Sequence, residues 1–184
     1  YLRFDGKKEK FFINGASRHS PLNAALSVAA AIYCGCPLSN IKKRLKFIDL
    51  PERRLAISNS LKGSILIDDS YNSNPASLKN AVDSLEGLKR KKVCILGDMK
   101  ELGSDSQKIH QEMYEYISER VDHIFCIGDE WSTCSPNEKQ DLSIFENQDD
   151  LYSHLISIID KKTILLVKGS RSTRMDLLAD KLKK

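Results

Sequence analysis

Nowhere in its 184 residues does the chain carry an apolar run near the roughly 18 residues of a membrane span. The opening residues show no succession of charged, apolar and small residues like that of a signal peptide, so a cytoplasmic protein without membrane contact is expected. Five cysteines, Cys34, Cys36, Cys94, Cys126 and Cys134, are an odd number for a disulfide framework. Cys34 and Cys36 are too close for an easy bridge, and no second pair or histidine follows at zinc-finger spacing. Reduced, mostly buried thiols and no metal site are expected. The phosphate loop G-x-x-x-x-G-K-[ST] is missing, and so is the dinucleotide fingerprint G-x-G-x-x-G. A net charge of +4, with its cations scattered or at helix ends such as Lys181, Lys183 and Lys184, makes no nucleic-acid footprint. Repeats and low-complexity segments are lacking too. With 41% hydrophobic and 29% charged residues, disordered and fibrous classes drop out, and the chain is long enough to bury a real core.

What the sequence does contain is an alternation. From Ile65 onward, short β-rich runs, "SILID", "KVCILG", "HIFCIG" and "TILLVKG", are separated by polar turns and helical periods. Leu78, Ala81, Val82, Leu85 and Leu88 mark a first helix, and Ile109, Met113 and Ile117 a second. Leu151, Leu155 and Ile158 or Ile159 mark a third, and Met175, Leu178 and Leu182 a fourth. Continuously apolar strands alternating with helices predict an α/β fold, a doubly wound, mostly parallel Rossmann-like sheet covered on both faces. This layer is placed at residues 51–184. The first fifty residues differ: two short strands around a turn at Asp5-Gly6, an alanine-rich helix from about Pro21 to Tyr33 stopping at Gly35, and a short helix behind Ser39 running to about Ile48. A boundary near Pro51 is therefore expected.

Ligands of an open α/β sheet sit outside the carboxyl ends of its strands. Every such end read here is polar: Asp68 and Asp69 on the first strand, Gly97, Asp98 and Lys100 on the second, Gly128 and Asp129 on the third, and Lys168 to Ser172 on the fourth. Asn74-Pro75 suits an N-cap and first helical position, which would aim free N–H groups at the same crevice. One acid there suits ribose hydroxyls, and Tyr71 or an asparagine amide suits a base or phosphate. The plainer reading is that Asn74 only caps and Tyr71 only packs. "KGSRS" offers lysine, arginine and hydroxyls to a carboxylate or phosphate, or else is a solvated helix start capped by Ser172.

Three ordered motifs, "IDDSYNSNPASL", "VCILGDMKELGSDSQKIH" and "TILLVKGSRSTRM", resemble the carboxyl-terminal part of the Mur ligase family. Upstream, "RHSPLNAALSVAAAIYCG" and "LPERRL" are similar to further segments of it, so the resemblance covers nearly all of the chain. It implies that residues 1–50 are the end of the family's central, ATP-binding domain and residues 51–184 its carboxyl-terminal Rossmann-like domain. It also implies an ATP-dependent ligase of peptidoglycan synthesis that joins D-alanyl-D-alanine to UDP-N-acetylmuramoyl-tripeptide through an acyl phosphate. ATP and Mg²⁺ are the implied cofactors, the magnesium ligands falling mainly upstream of this chain. By matching position, Asn23 would read adenine and Arg54, with Arg53 as the alternative, would approach the terminal phosphate as the catalytic cation. Asp69 would meet ribose, Tyr71 and Asn72 would line the nucleotide side, and Lys168, Ser170 and Arg171 would face the dipeptide carboxylate. His110 matches a motif histidine that reads better as a structural residue.

Departures accompany the resemblance: Ser17 and Ser20 replace a glycine and an asparagine of the helix motif, Pro21 follows, and the phosphate loop is absent. The chain is therefore expected to be a fragment, a monomer incompetent alone. The rivals are another Mur or folylpolyglutamate-type ligase, a noncatalytic nucleotide-binding module, and a structural or partner-binding domain.

Overall fold

The computed structural model describes residues 1–4, 6–13, 20–47, 52–136 and 142–184. They fall into two compact units, residues 1–51 and 52–184. The expected boundary at Pro51, the turn residue Asp5, the replaced Ser17 and the helix end at Ile48 lie outside the described residues.

In the smaller unit, β1 (Leu2–Phe4) and β2 (Lys7–Glu9) pair antiparallel across Gly6, whose φ of 72° is a left-handed value that glycine adopts without penalty. Helix α1 (Ser20–Tyr33) is alanine-rich, and Gly35, at φ 78°, turns the chain out of it. The next helix, α2 (Leu38–Leu45), takes Pro37 as its N-cap, so Ser39 lies inside the first turn and does not cap it as expected. Val28, Ile41 and Leu45 form the core of this unit, with Leu2, Phe11 and Ile32 packed against them.

The larger unit begins with β3 (Ala56–Asn59) and β4 (Ile65–Asp69), followed by α3 (Pro75–Asp83), β5 (Lys91–Gly97), α4 (Ser106–Ser118) and β6 (His123–Ile127). A short α5 (Asp129–Ser132), β7 (Leu142–Phe145), α6 (Gln148–Ile158), β8 (Thr163–Lys168) and α7 (Met175–Leu182) complete it. The strands form one six-stranded sheet in the order β3-β4-β8-β5-β6-β7, with β3 antiparallel to β4 and the other pairs parallel. The four apolar runs are the parallel strands they were expected to be. The edge strands β3 and β7 were not anticipated, because "AISN" and "LSIF" are only four residues long, the short run common at an edge.

Side-chain alternation along the central strands divides the core in two. Cys94, Leu96, Ile124, Cys126, Ile164 and Leu166 face α3 and α4, whereas Val93, Ile95, Phe125, Leu165 and Val167 face α6 and α7. Leu78, Ala81 and Val82 bury the inner face of α3. That helix ends at Asp83, and Leu88, expected to continue its stripe, is exposed beyond the turn at Gly87. Neighbouring strands β4 and β8 thus lead into helices on opposite faces, α3 and α7. A crevice must open between their carboxyl ends, the topological switch point of the sheet.

Candidate functional site

Four chain segments meet at that crevice, and each is held by a bond its sequence makes possible. After β4, Asp68 is fully buried and accepts from the Ser70 N–H and hydroxyl at 3.1 and 2.6 Å. Lys183 lies 3.0 Å from its other oxygen. Asn74 caps α3 as the sequence predicts. Its side chain accepts from the Ser77 N–H at 2.8 Å, the Ser77 hydroxyl accepts from the Asn74 N–H at 3.1 Å, and Pro75 takes the first turn.

Asp69 and Lys168 end adjacent strands in register, and their ion pair at 2.5 Å lies beneath the crevice. The Lys168 side chain is 2% exposed and also donates to the Asn72 carbonyl at 2.9 Å. Burial lowers the Lys168 pKa, against the pull of Asp69 and together with the nearby Arg54 charge. Burial likewise raises that of Asp69, against the charge of Lys168 and the bond from the Leu55 N–H. Lys168 therefore points inward, and its reach is to Asp69 and Asn72, not to a ligand in the crevice.

The arginine segment before β3 is strapped to the same strand end. Leu55 N–H donates to Asp69 at 3.0 Å, and Tyr71 N–H donates to the Arg53 carbonyl at 3.2 Å. Arg53 and Leu55 both have left-handed φ, 62° and 53°, which costs about 1–3 kcal/mol each and is characteristic of functional loops. The strain separates the two arginines. Arg53 is turned inward onto Asp176 and Asp180, at 2.6 and 3.0 Å, while Arg54 is exposed with its guanidinium 4.4 Å above the Tyr71 ring.

On the far side, the Asp98 carboxylate after β5 is buried, pairs with Lys100 at 2.8 Å, and accepts from the Trp131 N–H at 3.4 Å. The Lys100 N–H donates to the Ser170 hydroxyl at 2.8 Å, and the Ser170 N–H to the Asp98 carbonyl at 3.0 Å. The hydrogen bond to Asp98 raises the Lys100 pKa, so this ammonium is charged at any physiological pH. A cavity of about 440 Å³ is lined by Asn72, Lys100, Glu101, Ser170, Arg171 and Arg174. Its cations come from two strand ends, and they give it the charge of an anion site. His110 lies outside it and is fully buried. It accepts from the Met99 N–H at 3.1 Å, faces the Ser106 carbonyl at 2.8 Å, and meets Trp131 edge-on.

The Mur ligase, glutamate ligase domain family matches residues 53–171. The chain belongs to this family. Among curated Mur ligases it is 32% identical over 176 residues to the UDP-N-acetylmuramoyl-tripeptide--D-alanyl-D-alanine ligase of Haemophilus influenzae, covering 90% of this chain and 38% of that protein. A crystal structure of MurF from Acinetobacter baumannii aligns at TM-score 0.80 and 31% identity, over 91% of this chain and 38% of that one. MurF from Thermotoga maritima in complex with ADP aligns at 0.78 and 23% identity, over 90% and 38%, and shows the shared fold. The chain spans about two fifths of the length of the Mur ligases it matches.

Within this Mur ligase domain the crevice assembles Arg54, Asp69, Tyr71, Asn72, Lys168, Ser170 and Arg171 from three segments distant in sequence. Asn23 is exposed on α1 of the smaller unit. Sequence reasoning named Lys100 as a cation at a strand end but not as a member of the site, and it missed Glu101 and Arg174. The signal for Arg174 was its place three residues after Arg171, across a single 3₁₀ turn, Arg171–Thr173. Ser172 does not cap the following helix, whose N-cap is Arg174. No group of three metal-binding side chains occurs among the described residues, and no helix among them is long and apolar enough to cross a membrane.

Proposed function

We propose that the chain supplies the carboxyl-terminal machinery of an ATP-dependent amide-bond ligase that adds D-alanyl-D-alanine to UDP-N-acetylmuramoyl-tripeptide, working as a cytoplasmic monomer. The observation that carries the reading is the cationic cavity at the switch point, with Arg54 exposed beside the same strand end. The names of the Mur ligase relatives supply the substrate class.

ATP would activate the tripeptide carboxylate as an acyl phosphate, which the dipeptide amine then displaces. Arg54, resting on Tyr71, suits the terminal phosphate, and as negative charge builds there it would act as the catalytic cation. Each carboxylate oxygen of Asp69 receives one hydrogen bond from the protein and so keeps acceptor capacity for a ribose hydroxyl. Tyr71 and Asn72 line that side, and Asn23, on the smaller unit, suits an adenine edge. Ser170 and Arg171, with Lys100, suit the carboxylate of the dipeptide. Lys168 serves by fixing Asp69 and the Asn72 carbonyl. Magnesium would be held by residues other than these cations, and among the described residues no three metal-binding side chains converge to hold it.

The test is titration of the chain with magnesium ADP and, separately, with D-alanyl-D-alanine, followed by amide NMR shifts. Shifts around Arg54 and Asp69 with nucleotide, weakened about tenfold by Arg54→Ala, and around Ser170 and Arg171 with dipeptide, are the expected results. L-glutamate in place of the dipeptide should shift nothing. Ligation by these 184 residues alone, which hold no phosphate loop, would overturn the division of labour proposed here.

A further inference from the structure

Asp176, in the first turn of α7, is 5% exposed in its side chain and faces three guanidinium groups. One oxygen lies 2.6 Å from Arg53 and 3.2 Å from Arg171, and the other accepts from Arg174 Nε at 3.1 Å. Arg53 has a second carboxylate, Asp180, whereas Arg171 and Arg174, 59% and 54% exposed, reach out from Asp176 to line the cavity. We propose that Asp176 is a positioning residue: it holds Arg171 and Arg174 as a fixed pair of cations for a ligand carboxylate, and through Arg53 joins that pair to the segment carrying Arg54. The proposal rests on the reading that this cavity receives the dipeptide.

Two features separate this role from mere support of the fold. The backbone of the turn is seated without help from Asp176, because the Thr173 hydroxyl and the Met175 side chain lie against the bare backbones of Gly97 and Gly169. A Cβ at either glycine would come within 2.5–2.8 Å of them. The Thr173 hydroxyl also donates to the Ser170 carbonyl at 2.6 Å, and Gln148 donates to the Arg174 carbonyl at 2.9 Å. What Asp176 alone supplies is the direction of the guanidinium groups. A free arginine at such exposure samples many rotamers, and ordering it on binding weakens affinity. Prior ordering by a buried carboxylate removes that loss, at the expense of some positive potential.

The two effects predict opposite signs for Asp176→Asn, which keeps the shape and removes the charge. If Asp176 only neutralised its neighbours, the variant would bind every anion more tightly. If it positions them, D-alanyl-D-alanine binds about tenfold more weakly while chloride, a spherical anion that needs no fixed fork, does not weaken. The direct readout is the arginine Nε–H spectrum of the 184-residue chain. Arg171 and Arg174 should give resolved signals that merge with those of the mobile arginines in Asp176→Asn and return, displaced, in Asp176→Glu, with the amide spectrum otherwise retained. Should the Asn variant not fold, Asp176→Glu decides: displaced signals support positioning, and unmoved ones overturn it. Unchanged arginine signals in Asp176→Asn, or tighter dipeptide binding, likewise overturn it. If dipeptide shifts nothing in the unmodified chain, the substrate reading falls, and the arginine signals still decide the role of Asp176.

Discussion

Gly128 shows how one residue can be required by a neighbour's chemistry. It has a φ of 130°, and a Cβ there would lie 2.2 Å from the Asp98 carboxylate. Gly128→Ala should destabilise the chain by about 2–4 kcal/mol, the sum of backbone strain and overpacking, and release Lys100 from Asp98. Urea unfolding measures the first effect, and the Lys100 side-chain NMR signal reports the second. Asp69 makes a prediction with a definite sign. Because its pKa is raised above 3.8 by burial, the folded state holds the proton more firmly than the unfolded state does. The contribution of this carboxyl is then fully present below pH 3.8 and is lost as pH rises through its folded pKa. The stability of the unmodified chain minus that of Asp69→Asn should therefore fall as pH rises from about 3.8, and a rise would refute the desolvation argument. "DDSYN" foretold acceptors at this strand end. It did not foretell that Lys168, about a hundred residues away, would lie under them, since only the pairing of β4 with β8 brings the two together.

At the scale of elements, the helices were legible where their apolar period was long and their caps were chemical. Asn74-Pro75 caps α3 as the sequence predicts, and Asn147, which the sequence reading did not single out, accepts in the same way from the Asp149 and Asp150 N–H groups. Asn74→Ala should cost about 1 kcal/mol and fray the first turn of α3, seen as faster amide exchange at Ser77 and Leu78. The short elements were not legible. A four-residue helix such as α5 has no room for a period, and its buried Trp131 donates to the Gly97 carbonyl at 3.0 Å, a contact made across β6 and β5. The edge strands failed for a similar reason: each becomes a strand by pairing with a neighbour, whatever its own weak preference.

At the scale of the whole chain, the two units differ in how much they bury. The smaller holds Val28, Ile41 and Leu45 as its core, while the larger has one layer of apolar side chains on each face of its sheet. Small domains bury a smaller share of their surface and are correspondingly marginal. Native-state hydrogen exchange should therefore find the α1 and α2 amides opening at much lower free energy than those of β5 and β8, and equal protection would show that the smaller unit draws its stability from elsewhere.

The sequence by itself determined what is local and periodic: the alternating α/β order, the central strands, the main helices, the Asn74 cap, and polar residues at every central strand end. These follow from side-chain periodicity and hydrogen bonding within a few residues. Tertiary structure alone decided the insertion of β8 between β4 and β5, the inward turn of Lys168 and Arg53, and the gathering of Lys100, Arg171 and Arg174 around one cavity. Strand order and the burial of charge are set by contacts between residues far apart in the chain, which no short stretch encodes.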